Sequence, residues 1–98
     1  MLKTHYCGDL RASDAGTDVV LAGWVHRRRD HGGLIFIDLR DSRGLVQVVV
    51  NPEAVQAHAA ASEARGEYVL RIEGQVQPRR TGTVNEKLPT GEIEVRAT

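Results

Sequence analysis

The chain has 98 residues, a length that supports one small domain with one modest hydrophobic core. It contains 13 Lys and Arg and 13 Asp and Glu, so the net charge is zero and overall basicity does not indicate a nucleic-acid partner. The single cysteine, Cys7, excludes an internal disulfide, and the chain does not open with a secretory leader, so we expect a cytoplasmic location. No apolar run approaches the ~20 residues of a membrane helix, and we expect no membrane partner.

A lead-in and two strands are predicted in the first part of the chain. Residues 1–18 are polar and rich in turn formers, so we expect a lead-in segment without a regular element. Residues 19–29 have strand composition, and Gly23 in their middle predicts a bulge or a sharp coil. A turn over residues 30–33 leads to a second strand over residues 34–40. The core-facing residues of that strand are predicted to be Ile35, Ile37 and Leu39.

A third strand and a helix follow. A hairpin turn over residues 41–44 precedes the strand, whose alternation predicts that Val46, Val48 and Val50 face the core while Leu45, Gln47 and Val49 face outward. A helix is predicted over residues 52–65, with an alanine-rich stretch over residues 53–65. Asn51 is its predicted N-cap, Pro52 its first position and Gly66 its end.

Two further strands are predicted over residues 68–76 and 91–96, separated by a long polar loop over residues 77–90. The resulting order, βββαββ, predicts an OB-fold, a five-stranded Greek-key barrel with one short helix. We expect residues 1–98 to form one such domain. In this fold the second and third strands form a binding face, and the long loop flanks the ligand site.

Three consecutive arginines, Arg27, Arg28 and Arg29, end the first strand and form the densest charge of the chain. Guanidinium groups hold phosphates and donate in pairs to base edges, so the cluster indicates nucleic acid. A solvated strand end is the alternative interpretation of such a run. The candidates for phosphate contact are Arg27, Arg28 and Arg80.

Phe36 alternates with the core-facing residues of the second strand, so it is predicted to lie on the outward, polar face, where it would not contribute to the hydrophobic core. An exposed aromatic side chain at this place is a stacking platform for an unpaired base, although a lone surface aromatic is the alternative. Gln47, in the outward phase of the third strand, has an amide that donates to and accepts from a base edge. Outward glutamines are common, so Gln47 indicates little by itself.

A polar rim is predicted from Arg79, Arg80 and Asn85 in the long loop and Glu94 on the last strand. A carboxylate is informative there, because it repels phosphates but accepts hydrogen bonds from the amino and imino edge of guanine. The four histidines are scattered, so no metal site is predicted. No nucleophile with a matching base stands out, and we expect a binding domain that has no enzyme activity and no cofactor.

A family resemblance rests on long motifs. Residues 23–41, which begin Gly-Trp-Val-His-Arg-Arg-Arg-Asp, and residues 44–49 resemble the N-terminal anticodon-binding domain of bacterial aspartyl-tRNA synthetases. Residues 4–11 and 90–95 match as well, so the resemblance covers essentially the whole chain. The synthetases for asparagine and lysine share the barrel with weaker versions of these motifs and are the alternative family.

The resemblance implies recognition of the anticodon loop of tRNA(Asp), whose three bases are guanine, uracil and cytosine. By similarity, Phe36 stacks on the central uracil while Gln47 and Arg29 read its edge. The carboxylate of Glu94 meets the first base, guanine. Further backbone or base contacts are implied for Arg79 and Asn85.

The same resemblance implies a parent enzyme with a catalytic domain after Thr98. This parent would be a homodimeric class II ligase that uses ATP and magnesium to join aspartate to tRNA. We expect the 98-residue chain alone to form no aminoacyl-adenylate and to charge no tRNA.

Two positions are linked to the choice of tRNA. In the family, enzymes strict for aspartate tend to have leucine at the position matching His31 and lysine at the position matching Gly82. This chain has histidine and glycine at the two positions, and in this it resembles the enzymes that also accept tRNA(Asn). The alternative explanation is that both residues are ordinary choices for a turn and a loop and have no role in tRNA selection.

Two other classes of protein are weaker interpretations. A stand-alone binder of single-stranded nucleic acid would be expected to carry a strongly positive groove and several stacking aromatics, whereas this chain is neutral and has one phenylalanine. A protein-binding OB module would need an exposed apolar patch, which an outward face rich in Arg and Asp does not provide.

Overall fold

The computed structural model describes residues 3–64, 68–79 and 83–98. The described strands are β1 (Asp18–His31), β2 (Leu34–Asp41), β3 (Gly44–Val50), β4 (Val69–Pro78) and β5 (Ile93–Ala97), and α1 (Val55–Glu63) lies between β3 and β4. The predicted order βββαββ is therefore confirmed. Among these residues no helix is long and apolar enough to cross a membrane. The positions Arg65, Gly66, Arg80 and Gly82 lie outside the described ranges.

The five strands close into a barrel in the order β1-β2-β3-β5-β4. Strand β1 is 14 residues long and pairs with two neighbours. Its residues 18–24 pair with β4, and its residues 24–31 pair with β2. All pairings are antiparallel except that of β3 with β5, where Val48 lies beside Val95. The first strand, predicted over residues 19–29, is thus longer at both ends than predicted, and it lies between β4 and β2 in the closed barrel.

The hydrophobic core follows the predicted alternation on β2 and β3. The inward residues Ile37, Leu39 and Val46 are at most 1% exposed. The outward positions of β3 are more covered than alternation indicates, because Gln47 and Val49 are each only 8% exposed. Gln47 is covered in part by Arg29 of β1 and Glu94 of β5, whose side chains are hydrogen bonded to its amide. Both faces of β3 are therefore largely removed from water.

The lead-in segment contributes to the core, which its polar composition did not indicate. It contains two 3-10 helices, Cys7–Asp9 and Ala12–Asp14. Cys7 is fully buried and Leu10 is 1% exposed. The backbone N–H of Cys7 donates to Oδ2 of Asp41 over 2.6 Å, which fixes the segment to the end of β2. Burial raises the pKa of the Cys7 thiol, and the adjacent Asp41 carboxylate raises it further.

The predicted N-cap, Asn51, and the predicted first helical position, Pro52, were both wrong. Helix α1 begins at Val55 with Ala54 as N-cap, three positions after Asn51. The Asn51 side chain instead accepts a hydrogen bond from the N–H of Glu53 over 3.0 Å, and so closes a turn that precedes the helix. Asn side chains compete for nearby backbone donors in this way. The helix buries Ala61 in the barrel core and packs against β2 and β3.

The predicted bulge exists, but it is not at Gly23. The register of β1 against β2 shifts between Val25 and Arg27, which leaves His26 as the extra residue. Gly23 is instead needed for close approach of two strands, because a Cβ at this position would lie 2.3 Å from the carbonyl oxygen of Arg40. A glycine inside a strand is typical both of a bulge and of a close approach between strands, so the presence of glycine alone did not decide between the two.

Candidate nucleic-acid interface

A cleft of about 740 Å³ opens at the outer surface of the barrel. Its walls come from the end of β1, the start of β2, the end of β3, strand β5 and the loop before β5. The cleft brings together six residues that the sequence analysis singled out, namely Arg29, His31, Phe36, Gln47, Arg79 and Glu94.

The bulge at His26 determines which arginine faces this cleft. Before the bulge, Val25 is buried in the core and pairs with buried Leu39. Strict alternation from Val25 would point residues 27, 29 and 31 into the core as well. The extra residue reverses the phase, so that Arg29 pairs with Phe36 on the outer face. The bulge thereby keeps the Arg29 guanidinium out of the core and places it on the wall of the cleft.

The turn between β1 and β2 is tighter than the predicted turn over residues 30–33. Strand β1 continues to His31, which pairs directly with Leu34. Only Gly32 and Gly33 form the turn, with φ of 59° and 86°. Positive φ at both central residues is typical of the two-residue hairpin turns that match strand twist, and glycine adopts it without strain. His31 is therefore held on a strand at the mouth of the cleft.

Phe36 and Arg29 form a joined surface on one wall. The ring is partly buried, and the Arg29 guanidinium carbon lies 5.6 Å from the ring centroid, within the range of a cation–π contact. Arg29 also lies 3.8 Å from a carboxylate oxygen of Asp38. An aromatic face beside a fixed set of N–H donors is the combination that holds an unpaired base by its face and its edge.

A chain of polar contacts crosses the floor of the cleft. Arg29 donates from Nη2 to Oε1 of Gln47 over 3.3 Å, and Gln47 donates from Nε2 to Oε1 of Glu94 over 3.3 Å. Nε of Arg96 then donates to the other oxygen of Glu94 over 3.3 Å. Gln47 and Glu94 are both 8% exposed. The carboxylate is thus oriented and largely dehydrated before any ligand arrives.

Arg79 joins the cleft from the start of the long loop. Its Nε donates to the carbonyl of Ile93 over 3.1 Å, and its Nη1 donates to the carbonyl of Thr83 over 3.2 Å. Burial lowers the pKa of the Arg79 guanidinium, while the Glu94 and Asp38 carboxylates oppose that change. Arg79 therefore ties the loop to the first residue of β5 and adds positive charge near Glu94.

The other residues singled out from the sequence lie elsewhere. Asn85 is exposed, is not part of the cleft wall, and uses its side chain to accept from the N–H of Lys87 over 3.0 Å. Arg27 is exposed on the outer face and pairs with Asp38. Arg28 faces the other way and donates to the carbonyls of Ser62 and Ala64 at the end of α1.

Among the residues that the sequence analysis did not predict for the site, Arg96 and Asp38 contact the predicted ones through charged groups. Arg96 lines the cleft and contacts Glu94, and Asp38 contacts Arg29. The sequence contained a signal for both residues. Arg96 lies two positions after Glu94 on β5, and Asp38 lies two positions after Phe36 on β2. Residues i and i+2 share one face of a strand.

Curated relatives match nearly the whole chain. The "Aspartate--tRNA(Asp/Asn) ligase" of Moorella thermoacetica is 63% identical over 95 residues, which cover 97% of this chain and 16% of that protein. The ligase of the same name from Geotalea uraniireducens is 61% identical over 94 residues, which cover 95% of this chain and 16% of that protein. The chain thus spans 16% of the length of these relatives.

Solved structures share the barrel. Asparaginyl-tRNA synthetase from Pyrococcus horikoshii matches with a TM-score of 0.81 at 31% identity, over 99% of this chain and 22% of that one. An OBody, AM3L15, bound to hen egg-white lysozyme matches with a TM-score of 0.84 over 100% of this chain and 91% of that one. Its identity is 22%, so this likeness shows the fold alone.

The family comparison covers the barrel itself. Residues 19–98 match the tRNA anti-codon family, whose description is "OB-fold nucleic acid binding domain". The matched range begins within β1 and contains β2 to β5, α1 and the six predicted site residues that line the cleft. The chain therefore belongs to the tRNA anti-codon family of OB-fold nucleic acid binding domains.

Proposed function

We propose that this chain is the anticodon-binding domain of an aspartate–tRNA ligase and that it holds the anticodon loop in the cleft. The observation that carries the proposal is the meeting of three kinds of group in one place. Phe36 offers a stacking surface, Arg29 and Gln47 offer edge-reading donors and acceptors, and Glu94 offers a carboxylate. The names of the curated relatives support the same function.

In this proposal each base of the anticodon meets a different part of the cleft. The central uracil stacks on Phe36 and is read by Arg29 and Gln47, and the first base, guanine, donates to Glu94. The polar groups of Gln47 and Glu94 are already hydrogen bonded to each other in the free protein. A correct base replaces the bonds it disrupts, whereas a wrong base leaves buried groups unpaired. Selectivity then comes mainly from the penalty on wrong bases.

Contacts to the RNA backbone are assigned to the positive groups around the cleft. Arg27 is exposed on the outer face and is free of the core, which suits a phosphate contact. Arg28 donates from Nη1 to the end of α1 and from Nε and Nη2 to the Asp30 carboxylate, so its contribution to phosphate binding is expected to be smaller. Arg80 and Asn85 belong to the loop region and are proposed to contact the backbone near Arg79.

The catalytic activity is assigned to other parts of a longer protein, because the curated relatives are about six times longer than this chain. In that parent, ATP and magnesium would activate aspartate for transfer to tRNA, in a cytoplasmic homodimer. The 98-residue chain would then be a single recognition domain without catalytic activity.

We also propose that the chain accepts both tRNA(Asp) and tRNA(Asn), which differ in their anticodons only at the third base, cytosine or uracil. His31 stands at the mouth of the cleft with a ring that both donates and accepts hydrogen bonds. Glycine at position 82, outside the described residues, leaves out a long cationic side chain. The names of the relatives, which include both tRNAs, support this assignment.

The test is a titration of the 98-residue chain with the anticodon stem-loop of tRNA(Asp) beside a stem-loop with a scrambled loop. We expect clear preference for the natural loop, and equal affinity would overturn the proposal. Stem-loops with cytosine or uracil at the third base should bind with similar affinity. The double variant His31→Leu, Gly82→Lys should gain preference for cytosine, and a strong cytosine preference in the natural chain would defeat dual acceptance.

A further inference from the structure

The end of the β1–β2 hairpin has two faces with different neighbours. On the outer face, Arg29 pairs with Phe36 and lines the cleft. On the inner face, Arg28 pairs with Ile37, which belongs to the hydrophobic core. Helix α1 contacts the hairpin through Arg28 on this inner side, and no residue of α1 lines the cleft.

Two side chains connect α1 to the hairpin. His58 places Nε2 2.9 Å from the carbonyl oxygen of Gly33, inside the turn. Because a carbonyl only accepts, His58 carries a proton on Nε2 and donates it. Arg28 reaches from β1 to the carbonyls of Ser62 and Ala64, over 3.0 and 3.2 Å. The helix is thus attached both to the tip of the hairpin and to the strand leading to it.

The helix is a firm support because it is itself anchored in the core through Ala61, which is 5% exposed. The turn it supports consists of two glycines, the residues with the greatest backbone freedom. His31 lies two residues before Gly33, at the mouth of the cleft. A hydrogen bond to the Gly33 carbonyl therefore restrains the part of the backbone that carries His31.

We propose that His58 is a positioning residue for anticodon recognition: its bond to the Gly33 carbonyl holds the β1–β2 turn against α1 and sets where His31 meets the third base. This inference rests on the function proposed above for the cleft. His58 is not part of the cleft wall, so in this proposal it acts on the RNA only through the turn. Its effect is confined to the base nearest the turn, while the central base depends on Phe36 and Gln47 further along the strands.

The first test compares His58→Leu, which removes the donor, with His58→Gln, whose amide N–H replaces it. Gln56→Ala, an exposed change on the same helix, is the matched control. Stem-loops with a pyrimidine or adenine at the third base, and with uracil or adenine at the central base, are titrated against each protein. We expect His58→Leu to lower third-base selectivity by about threefold to tenfold, the equivalent of one hydrogen bond. Central-base selectivity should be unchanged, and His58→Gln should restore the third-base value.

A second test needs no RNA. Amide hydrogen exchange at His31 and Leu34, the residue pair that closes the turn, should be faster in His58→Leu than in the natural chain or in Gln56→Ala. Unchanged exchange there, or a loss of selectivity spread equally over both base positions, would overturn the positioning role. If the natural chain binds no stem-loop selectively, the proposed function fails, and the exchange measurement still decides whether His58 restrains the turn.

Discussion

Gln47 donates from its Nε2 to Oε1 of Glu94 over 3.3 Å, and this bond joins β3 to β5 at the floor of the cleft. The two residues are 47 positions apart in sequence and are each 8% exposed. Both groups have therefore lost most of their water in the free protein. In the proposed function, a base that enters would meet a carboxylate whose orientation is already set, which would reduce the ordering that binding requires.

Glu94→Gln tests whether the carboxylate reads guanine. The amide keeps the size of the side chain but replaces one acceptor oxygen by a donor, so we expect preference for guanine over adenine at the first base to weaken by about 1–3 kcal/mol. Titration with the two stem-loops measures it. Glu73→Gln, on the exposed surface of β4, is the control and should leave the preference unchanged. Full retention of guanine preference in Glu94→Gln would remove the carboxylate from base reading.

Phe36→Ala removes the stacking surface and is expected to weaken stem-loop binding by roughly 1–3 kcal/mol, the usual cost of losing a base-stacking aromatic. The side chain is only partly buried, so thermal unfolding should still show a cooperative transition. Tyr68→Ala changes an aromatic that is 51% exposed and is not part of the cleft wall, and it should bind normally. Equal losses in both variants would show that neither ring has a specific role.

Arg29→Gln and Arg27→Gln separate edge reading from phosphate contact. Arg29 reaches Gln47 in the cleft, so its loss should reduce discrimination at the central base. Arg27 is exposed on the outer face and does not line the cleft, so its loss should weaken binding to every loop by a similar factor. Titration against loops with each central base measures the difference. A uniform loss in Arg29→Gln would reassign that residue to the RNA backbone.

Salt dependence should reveal phosphate contacts even though the chain has zero net charge. Each phosphate neutralised on a single strand contributes a slope of about −0.7 to the plot of log affinity against log salt. We expect a clearly negative slope for the natural chain and a slope less negative by about that amount in Arg27→Gln. Affinity that does not change with salt would exclude the arginine cluster as a docking surface.

The buried thiol of Cys7 should make folding stability depend on alkaline pH. Burial raises its pKa in the folded state, so folding favours the protonated thiol. The contribution of the Cys7 thiol to the free energy of unfolding is complete below the unfolded-state pKa of about 8.5. As pH rises above that value, this contribution declines by at most about 1.4 kcal/mol per pH unit. Denaturant unfolding from about pH 7.5 to about pH 10 under reducing conditions measures this. The free energy of unfolding of Cys7→Ala should decline less steeply with rising pH. Parallel curves for the two proteins would show that the Cys7 thiol is not the cause of the pH dependence.

Much of the fold could be predicted from local patterns in the sequence. Apolar alternation on β2 predicted the buried set that contains Ile37 and Leu39, and the order of elements predicted the barrel. The helix boundary was less accessible, because the Asn51 side chain closes a turn with Glu53 instead of capping α1. Both uses satisfy the same kind of backbone donor, so the residue type alone does not choose between them.

The sequence by itself determined the elements, the faces of the simple strands and the chemical character of the residues that line the cleft, because these follow from side-chain type and a period of two. Only the tertiary structure decided that the bulge falls at His26, since its position depends on how β1 pairs with β2. That choice turned Arg29 outward to meet Phe36. The bond between Gln47 and Glu94 likewise required the parallel pairing of β3 with β5, a contact between distant segments that no local pattern encodes.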